Sequence, residues 1–439
     1  MDILNTISLE SNKQIKINFQ GGELSSDAGL LLVKEFAAKT GLLKLVKRTF
    51  KTNDKAMFRI HQDSDNLMQM VWQVIAAYFE DDCADELTND PVFTSILDKD
   101  TLASQPTLSR FFNRMDETTL SQFEMIGRAM RDIIYKISQP EHVLLDLDST
   151  LLNSYGTQEG TDFNFHYQAY GYHPLLCYDS LTGDLIKAEL RDGAKYCSNG
   201  AADFMQPVFA EYLDRGITMY LRGDSGFASP DLYETCETNG CSYAIRLKEN
   251  KTLRAMIAFE DSELYEATRF DQISYAVRYG EFMYQAGTWS QPRRVVFKIE
   301  KPYGQLIHMY TFVVTNMDLS PEQLIRFYCN RGTMENFIKE GKSGFDFSAV
   351  SSHSKVVNAN RLQLHVLAYN LFNWFRRLAL PVKMRKLRID TVRLKLLKIA
   401  ARVIHSARYI TFKLCSSCPY KEEFYETLSN IQALQVQLE

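Results

Sequence analysis

The chain has no apolar run long enough to span a bilayer, which takes about 20 residues as a helix. Its start, MDILNTISLE, has neither a basic n-region nor a long apolar core, so no secretory leader is expected. No tandem repeat or low-complexity segment interrupts it, which argues against a solenoid or a tethering linker. Strong charge of one sign is also missing. Fifty Lys and Arg stand against 54 Asp and Glu, a net charge of -4, so overall charge announces no polyanionic partner. Cysteine is sparse and scattered: there are eight, and only Cys415 and Cys418 form a C-x-x-C. Without a second pair or nearby histidines zinc is not expected, and reduced thiols in a cytosol are. What is present is ordinary globular composition, 45% hydrophobic and 24% charged over 439 residues, enough for two or three domains.

Charge is unevenly placed. From Arg376 to Lys413 twelve basic residues stand with Asp390 as the one acid. Such a run suits a phosphate backbone and equally a solvated helix face. A second polar feature reads Tyr328-x2-Arg331-x3-Glu335-x6-Lys342. At about 3.6 residues per turn these four side chains come close to one helical stripe. An acid between two bases, with an aromatic a turn away, suits a site where metal, phosphate and base converge. The plainer reading is a solvated face with i,i+4 ion pairs.

Carboxylates at the ends of two upstream strands weigh against the plainer reading. Asp146 and Asp148 are two apart in His142-Val-Leu-Leu-Asp-Leu-Asp-Ser-Thr, so on a strand they share a face. Asp224 ends a second strand in Leu221-Arg-Gly-Asp-Ser-Gly, where Gly223 and Gly226 allow close backbone approach. Acids at two strand ends, with Glu335 on a helix, are hard oxygen donors for Mg²⁺ or Mn²⁺.

Residues 1–138 are expected to be mainly helical, after a short strand near Ile15–Phe19. Ser26 or Asp27 would cap a helix that stops at Gly41, and Thr107, Ser109, Arg110 and Arg114 lie on short helices able to dock on DNA. From residue 139 the order becomes β-β-β-α-β-α-β, which is the ribonuclease-H-like arrangement. The expected division is a core first part at 139–251, a β-rich insertion at 252–318, the helix with Glu335 at 319–350, and a helical basic region at 351–439. Helix is expected to about residue 408.

The constellation resembles the DDE transposases of bacterial insertion sequences with a YREK signature, and more narrowly the insertion-sequence family numbered thirteen-eighty, related to the group numbered four. The resemblance rests on Gly21–Leu32 (GGELSSDAGLLL), Leu147-Asp-Ser-Thr150, Gly171-Tyr-His-Pro-Leu175, Arg222–Ala228 (RGDSGFA) and the Tyr328–Lys342 segment. It implies an α/β protein with a ribonuclease-H-like core, a β-rich insertion, and helical N- and C-terminal regions, the first binding DNA. It implies that Asp148, Asp224 and Glu335 are catalytic and hold Mg²⁺ or Mn²⁺, two ions per active site. Asp146 is then a supporting acid. Tyr328, Arg331 and Lys342 inherit contacts to DNA phosphates. Arg222, Arg246 and Lys248 are further phosphate candidates, Trp289 a candidate for stacking on a flipped base, and His166 and His173 packing or DNA contacts.

The implied partners are double-stranded DNA, as element inverted repeats and target, and a second copy in a homodimer, without a membrane. The implied place is a bacterial cytoplasm, at the nucleoid. The implied reaction is metal-dependent strand cleavage and transfer, cut-and-paste, with hairpinned ends an option. Two other readings use the same residues. Leu145–Leu151 resembles the D-x-D-x-T loop of haloacid-dehalogenase-like phosphatases, with Asp146 as nucleophile and Asp148 as acid/base. A domesticated DNA-binding protein without catalysis is the other.

Overall fold

The computed structural model describes residues 6–56, 58–270, 274–305 and 307–436. It divides into two compact units. One comprises Met1–Ile137, Gly344–Ala349 and Leu367–Glu439; the other comprises Ser138–Ser343 and Val350–Val366.

The first unit is chiefly helical. Leu30–Lys39, Leu42–Thr49, Asp63–Ile75, Gln105–Asn113 and Glu117–Ile137 are its main N-terminal helices. Phe50 sits at the centre of an aromatic cluster, its ring 5.1 Å from Phe123 and 6.1 Å from Phe111. Arg114 is tied to Asp63 at 3.2 Å and Asp54 at 3.4 Å, so it acts within the fold, whereas Arg110 is exposed.

Neither Ser26 nor Asp27 caps the first helix. Its N-cap is Gly29, and no side chain bonds there. The Asp27 carboxylate is buried and takes Lys398 at 2.7 Å and the Tyr78 hydroxyl at 3.0 Å. Ala28 and Gly29 donate their amide N–H groups to Ile399 and Leu397 carbonyls. A Cβ on Gly29 would lie 1.7 Å from the Leu396 carbonyl oxygen, so only glycine lets these backbones meet. The GGELSSDAGLLL motif is therefore a clamp inside this unit.

Residues 398–420 are not helical, and helix resumes at Lys421–Ala433. Strands Ala401–His405 and Ile410–Leu414 form a hairpin, and the first of them also pairs with Leu24–Ser25. Arg402 and Lys413 stand opposite each other across the hairpin, with Arg408 in its turn. Part of the basic run is structural as well: Arg393 is buried and donates to the carbonyls of Val74, Ile75 and Gly344.

The second unit is built on one eight-stranded sheet. Its strands and the helices used below are β1 (His142–Ser149), β2 (Leu175–Asp179), β3 (Leu185–Glu189), α1 (Ala201–Asp214), β4 (Thr218–Gly223), α2 (Pro230–Thr238), β5 (Ser242–Leu247), β6 (Ala276–Tyr284), β7 (Arg293–Lys301), β8 (Met309–Thr315), α3 (Pro321–Cys329) and α4 (Gly332–Gly344). The order across the sheet is β6-β7-β8-β5-β4-β1-β2-β3. β1, β2 and β3 are antiparallel neighbours, while β4 is parallel to β1 and β5 to β4. The order 3-2-1-4-5 with this polarity is the ribonuclease-H-like topology. β6, β7 and β8 continue the same sheet, since β8 pairs antiparallel with β5.

β1 and β4 are buried on both faces, as parallel central strands are. The turn at Leu181–Asp184 joins β2 to β3, with Asp179 accepting from the Thr182 hydroxyl and the Leu181 amide. Helix α3 lays Leu324, Ile325 and Tyr328 on Val296, Val313 and Ala244 of the sheet. α4 stacks Phe337 on Tyr178 of β2, with ring centroids 5.8 Å apart. This packing carries the helices back across the carboxyl end of β1.

Candidate active site

Asp148 and Asp224 stand at the ends of adjacent parallel strands, which brings them to one edge of the sheet. Asp148 is the next-to-last residue of β1. Its Oδ1 accepts from the Ser149 amide at 2.8 Å, and its Oδ2 pairs with Arg331 Nη2 at 2.9 Å. Asp224 follows β4 and accepts the Gly226 N–H at 2.8 Å, capping a single 3-10 turn. Burial pushes the Asp148 carboxyl up to about 6. The charges of Asp224 and Glu335 push the same way, and Arg331 opposes them.

The Y-R-E-K segment is two helices rather than one. α3 ends at Cys329 and α4 begins at Gly332. Between them Arg331 N–H donates to the Tyr328 carbonyl and Met334 N–H to the Arg331 carbonyl, a tight 3-10 path. The single stripe expected from 3.6 residues per turn is thus broken at Arg331. Arg331 gains from the break: it turns inward to Asp148 and to the Leu147 carbonyl at 3.2 Å. Glu335 lies in the first turn of α4 and is exposed.

Tyr328 and Lys342 are more enclosed than phosphate contacts usually are. The Tyr328 ring belongs to the core under α3, and burial raises its pKa. Arg331 and Arg246 lower it, and Asp224 raises it further. Lys342 is half-buried and donates to the Leu151 carbonyl at 2.8 Å and the Thr150 hydroxyl at 3.3 Å. Burial pushes its ammonium pKa down.

Asp146 and Arg222 are directly opposite across β1 and β4. Asp146 is fully buried, and Arg222 is 1% exposed. Arg222 Nε and Nη2 donate to the two Asp146 oxygens at 2.7 Å each. Its Nη1 donates to the Phe327 carbonyl at 2.8 Å. Arg222 is therefore not a DNA contact: it is a buried strut that holds the last turn of α3. The same burial removes the phosphatase reading, because a nucleophile with no exposure and both oxygens in an ion pair meets no substrate.

Trp289 is corrected too. It is 8% exposed and packs edge-on against Tyr233 at 5.3 Å and Tyr284 at 5.4 Å, with the Arg293 guanidinium over its ring. It is a core residue of the hairpin between β6 and β7, unable to stack on a base as it stands. Trp289→Ala is expected to cost about 3–5 kcal/mol of stability, read from urea unfolding.

Lys248 and Arg246 are exposed at the end of β5. Lys248 lines a 1070 Å³ cleft with Lys251, Arg254 and Tyr310. His166 is exposed, while His173 is buried with Nδ1 2.7 Å from the Lys195 carbonyl.

The sequence reading missed three side chains that border the acids. The Tyr167 hydroxyl donates to the Ser149 carbonyl at 3.2 Å. Burial, Asp148 and Asp224 push the Tyr167 pKa up to about 12. Cys197 Sγ lies 3.2 Å from Ser149 Oγ, and the charge of Asp224 is felt at Tyr196. No motif marks them; they come from loops that fold back onto the end of β1.

Among the described residues no three acids, histidines or cysteines are gathered tightly enough to hold a metal ion as they stand. The donor set nonetheless fits one. The charges of Asp224 and Glu335 add to burial in raising the Asp148 carboxyl, and a divalent cation relieves that repulsion.

A ribonuclease-H-like sheet with acids at the ends of its central strands fits a nucleic-acid phosphoryl-transfer enzyme. The profile of the family described as Transposase DDE domain group 1 matches residues 7–436, and the chain belongs to that family. It is a DDE-type DNA transposase, a divalent-metal-dependent enzyme that cleaves DNA at the ends of a mobile element and transfers the strands. No curated protein matches the sequence. Among solved structures it is similar to a piggyBac transposase synaptic complex with hairpin DNA, with 14% identity over 94% of this chain and 86% of that one and a TM-score of 0.42. It is also similar to a Mos1 transposase paired-end complex with the left transposon end, with 12% identity over 44% of this chain and 61% of that one and a TM-score of 0.18. No described helix is long and apolar enough to cross a membrane.

Proposed function

We propose that Asp148, Asp224 and Glu335 are the catalytic acids of this transposase and would hold two Mg²⁺ or Mn²⁺ ions. The observation that carries the reading is the Asp148 carboxylate, half-buried at a strand end, its pKa raised first by burial and then by the charges of Asp224 and Glu335. Bound there, the ions would supply an activated water and a stabilised leaving oxygen.

The chain's own residues then position DNA. Arg331, now paired with Asp148, would exchange that carboxylate for a phosphate oxygen. Its place in the break between α3 and α4 gives it the freedom to do so. Lys342 and the Tyr328 hydroxyl would line the same phosphate, with Arg246 and Lys248 tracking the strand farther out. Holding the phosphodiester in line supplies much of the acceleration. One strand would be cut at the element end, and the freed 3′-OH would attack the opposite strand, giving a hairpin, or later the target. The Y-R-E-K residues support assignment to the insertion-sequence family numbered thirteen-eighty, a cut-and-paste route, a homodimer pairing two ends, and a nucleoid location. The N-terminal region would add end recognition.

Metal binding is testable without DNA. Mg²⁺ at about 100 times its dissociation constant stabilises a one-site protein by about 2.7 kcal/mol. The melting temperature of the parent is expected to rise with Mg²⁺ and that of Asp148→Ala to stay flat. Equal rises in both would place the cation elsewhere.

A further inference from the structure

The loop at 191–199, which follows β3, reaches both strand ends that carry the acids, and Cys197 is its point of contact. The Cys197 Sγ lies 3.2 Å from Ser149 Oγ. On the other side, a Cβ at Gly226 would come to 3.0 Å of the Cys197 Cβ and 3.1 Å of its Sγ. The thiol therefore packs against the bare face of that glycine.

Ser149 and Gly226 are the two residues whose backbones hold the acids. The Ser149 amide donates to Asp148 Oδ1 at 2.8 Å, and the Gly226 amide donates to Asp224 Oδ1 at 2.8 Å. Each acid is thus tied to a residue that Cys197 touches. The last partners in the ladder between β1 and β4 are Leu147 and Gly223. Past that pair the strands no longer fix the distance between the two segments, and Cys197 stands between them.

The loop itself is braced along its length. Arg191 is 2% exposed, and its Nη1 donates to the carbonyls of Cys197 at 3.3 Å and Asn199 at 2.8 Å. Its Nε donates to the His173 carbonyl at 3.2 Å. His173 Nδ1 stands 2.7 Å from the Lys195 carbonyl, and the Gly193 amide donates to the Gly160 carbonyl at 3.1 Å. Hydrogen bonds from a buried guanidinium are among the stronger ones, so a loop gathered around Arg191 resists displacement.

We propose that Cys197 is a positioning residue for the reaction, a fixed wedge between Ser149 and Gly226 that sets the separation of Asp148 and Asp224. The proposal rests on the reading of those two acids as metal ligands, because their separation is the span offered to the cations. The size of the side chain carries the role. Serine is close to cysteine in shape. Alanine leaves a gap that packed neighbours close only in part. Leucine forces its neighbours to shift.

The test uses the full chain and Mn²⁺ alone. Free Mn²⁺ gives a sharp electron paramagnetic resonance signal that falls as the ion is bound. Groups that orient metal ligands are worth about 10–100-fold in metal affinity, and Cys197→Leu is expected to weaken Mn²⁺ binding by that factor. Cys197→Ala is expected to weaken it in the same direction, and Cys197→Ser to bind like the parent. Nicking by the leucine variant should recover as Mn²⁺ is raised, with the KM for element-end duplex unchanged, a split that a loosened fold would not give. Melting temperatures without metal check that each variant is folded. Parent-like Mn²⁺ binding in the folded leucine and alanine variants overturns the proposal. So does a loss in Cys197→Ser equal to that in Cys197→Leu, which would make the sulfur itself the active group. Mn²⁺ binding that survives Asp148→Ala overturns the acid assignment and the wedge with it. Binding lost in Asp148→Ala but kept in the Cys197 variants overturns the wedge alone.

Discussion

Alanine at Asp148, Asp224 or Glu335 is expected to lower the rate of metal-dependent nicking at an element end by about 10³-fold or more. Loss of a single preorganised electrostatic group costs about 10²–10³ in other enzymes, and each acid here would bind cations that act on both nucleophile and leaving group. The substrate is a duplex bearing the inverted repeat that brackets the coding sequence, and the readout is the freed 3′ end on a denaturing gel. The three variants should be comparably inactive, because groups that act as a unit do not add. Asp148→Ala also removes the partner of Arg331, so its melting temperature is part of the measurement. A variant that folds and cuts like the parent removes that acid from the site. DNA binding should survive in all three, which separates catalysis from the binding-only reading.

The second large effect concerns stability and position. Asp146 and Arg222 are buried with nearly ideal bidentate geometry. Removing one partner leaves the other charge stranded in the core, at a cost of about 3–5 kcal/mol. Arg222→Met and Asp146→Leu singly are expected to lower the denaturant midpoint sharply. The double variant Asp146→Leu/Arg222→Met should recover much of that loss, since an apolar pair of similar volume replaces the ion pair. Recovery of activity should lag behind recovery of stability, because the Arg222 donor to the Phe327 carbonyl is lost in the double variant as in Arg222→Met. That carbonyl lies in the last turn of α3, just before the break that carries Arg331. If the double variant is as unstable as the worse single, the pair is not behaving as a buried couple.

How much of this could be read from sequence depends on whether the information was local. The β-β-β-α-β-α-β order came from runs with clear period-2 patterns and turn residues, and five strands of the sheet keep it, although Ala169–Tyr172 of the expected second strand joins a separate small sheet. Asp148 and Asp224 were visible because each ends such a run. Arg222 was misjudged because an arginine in Leu-Arg-Gly-Asp looks like a solvent residue. Only the register of β4 against β1 sets it opposite Asp146. Trp289 was misjudged in the same way: a tryptophan in a Gly-Thr-Trp-Ser turn reads as exposed, yet Tyr233 from α2 and Arg293 from β7 close over it.

The offsets of Tyr328, Arg331, Glu335 and Lys342 suggested an unbroken helix, and periodicity has no means of showing a 3-10 break at Asn330–Arg331. Helix was also expected to about residue 408, but Ala401–His405 is a strand, paired with Ile410–Leu414 and with Leu24–Ser25. Tyr167 and Cys197 reach the acids only through loop closure, and nothing in their local sequence marks it.

Arg331 is paired with Asp148, and Glu335 is exposed on α4. The central claim is that Asp148, Asp224 and Glu335 hold the catalytic cations beside the scissile phosphate. The most direct measurement is Mn²⁺ anomalous scattering from crystals of the chain with its element-end duplex. The account predicts Mn²⁺ peaks within coordination distance of Asp148, Asp224 and Glu335, with Arg331 moved from Asp148 to a phosphate. Mn²⁺ bound away from these acids, or Arg331 still paired with Asp148 beside a correctly placed scissile phosphate, would contradict it.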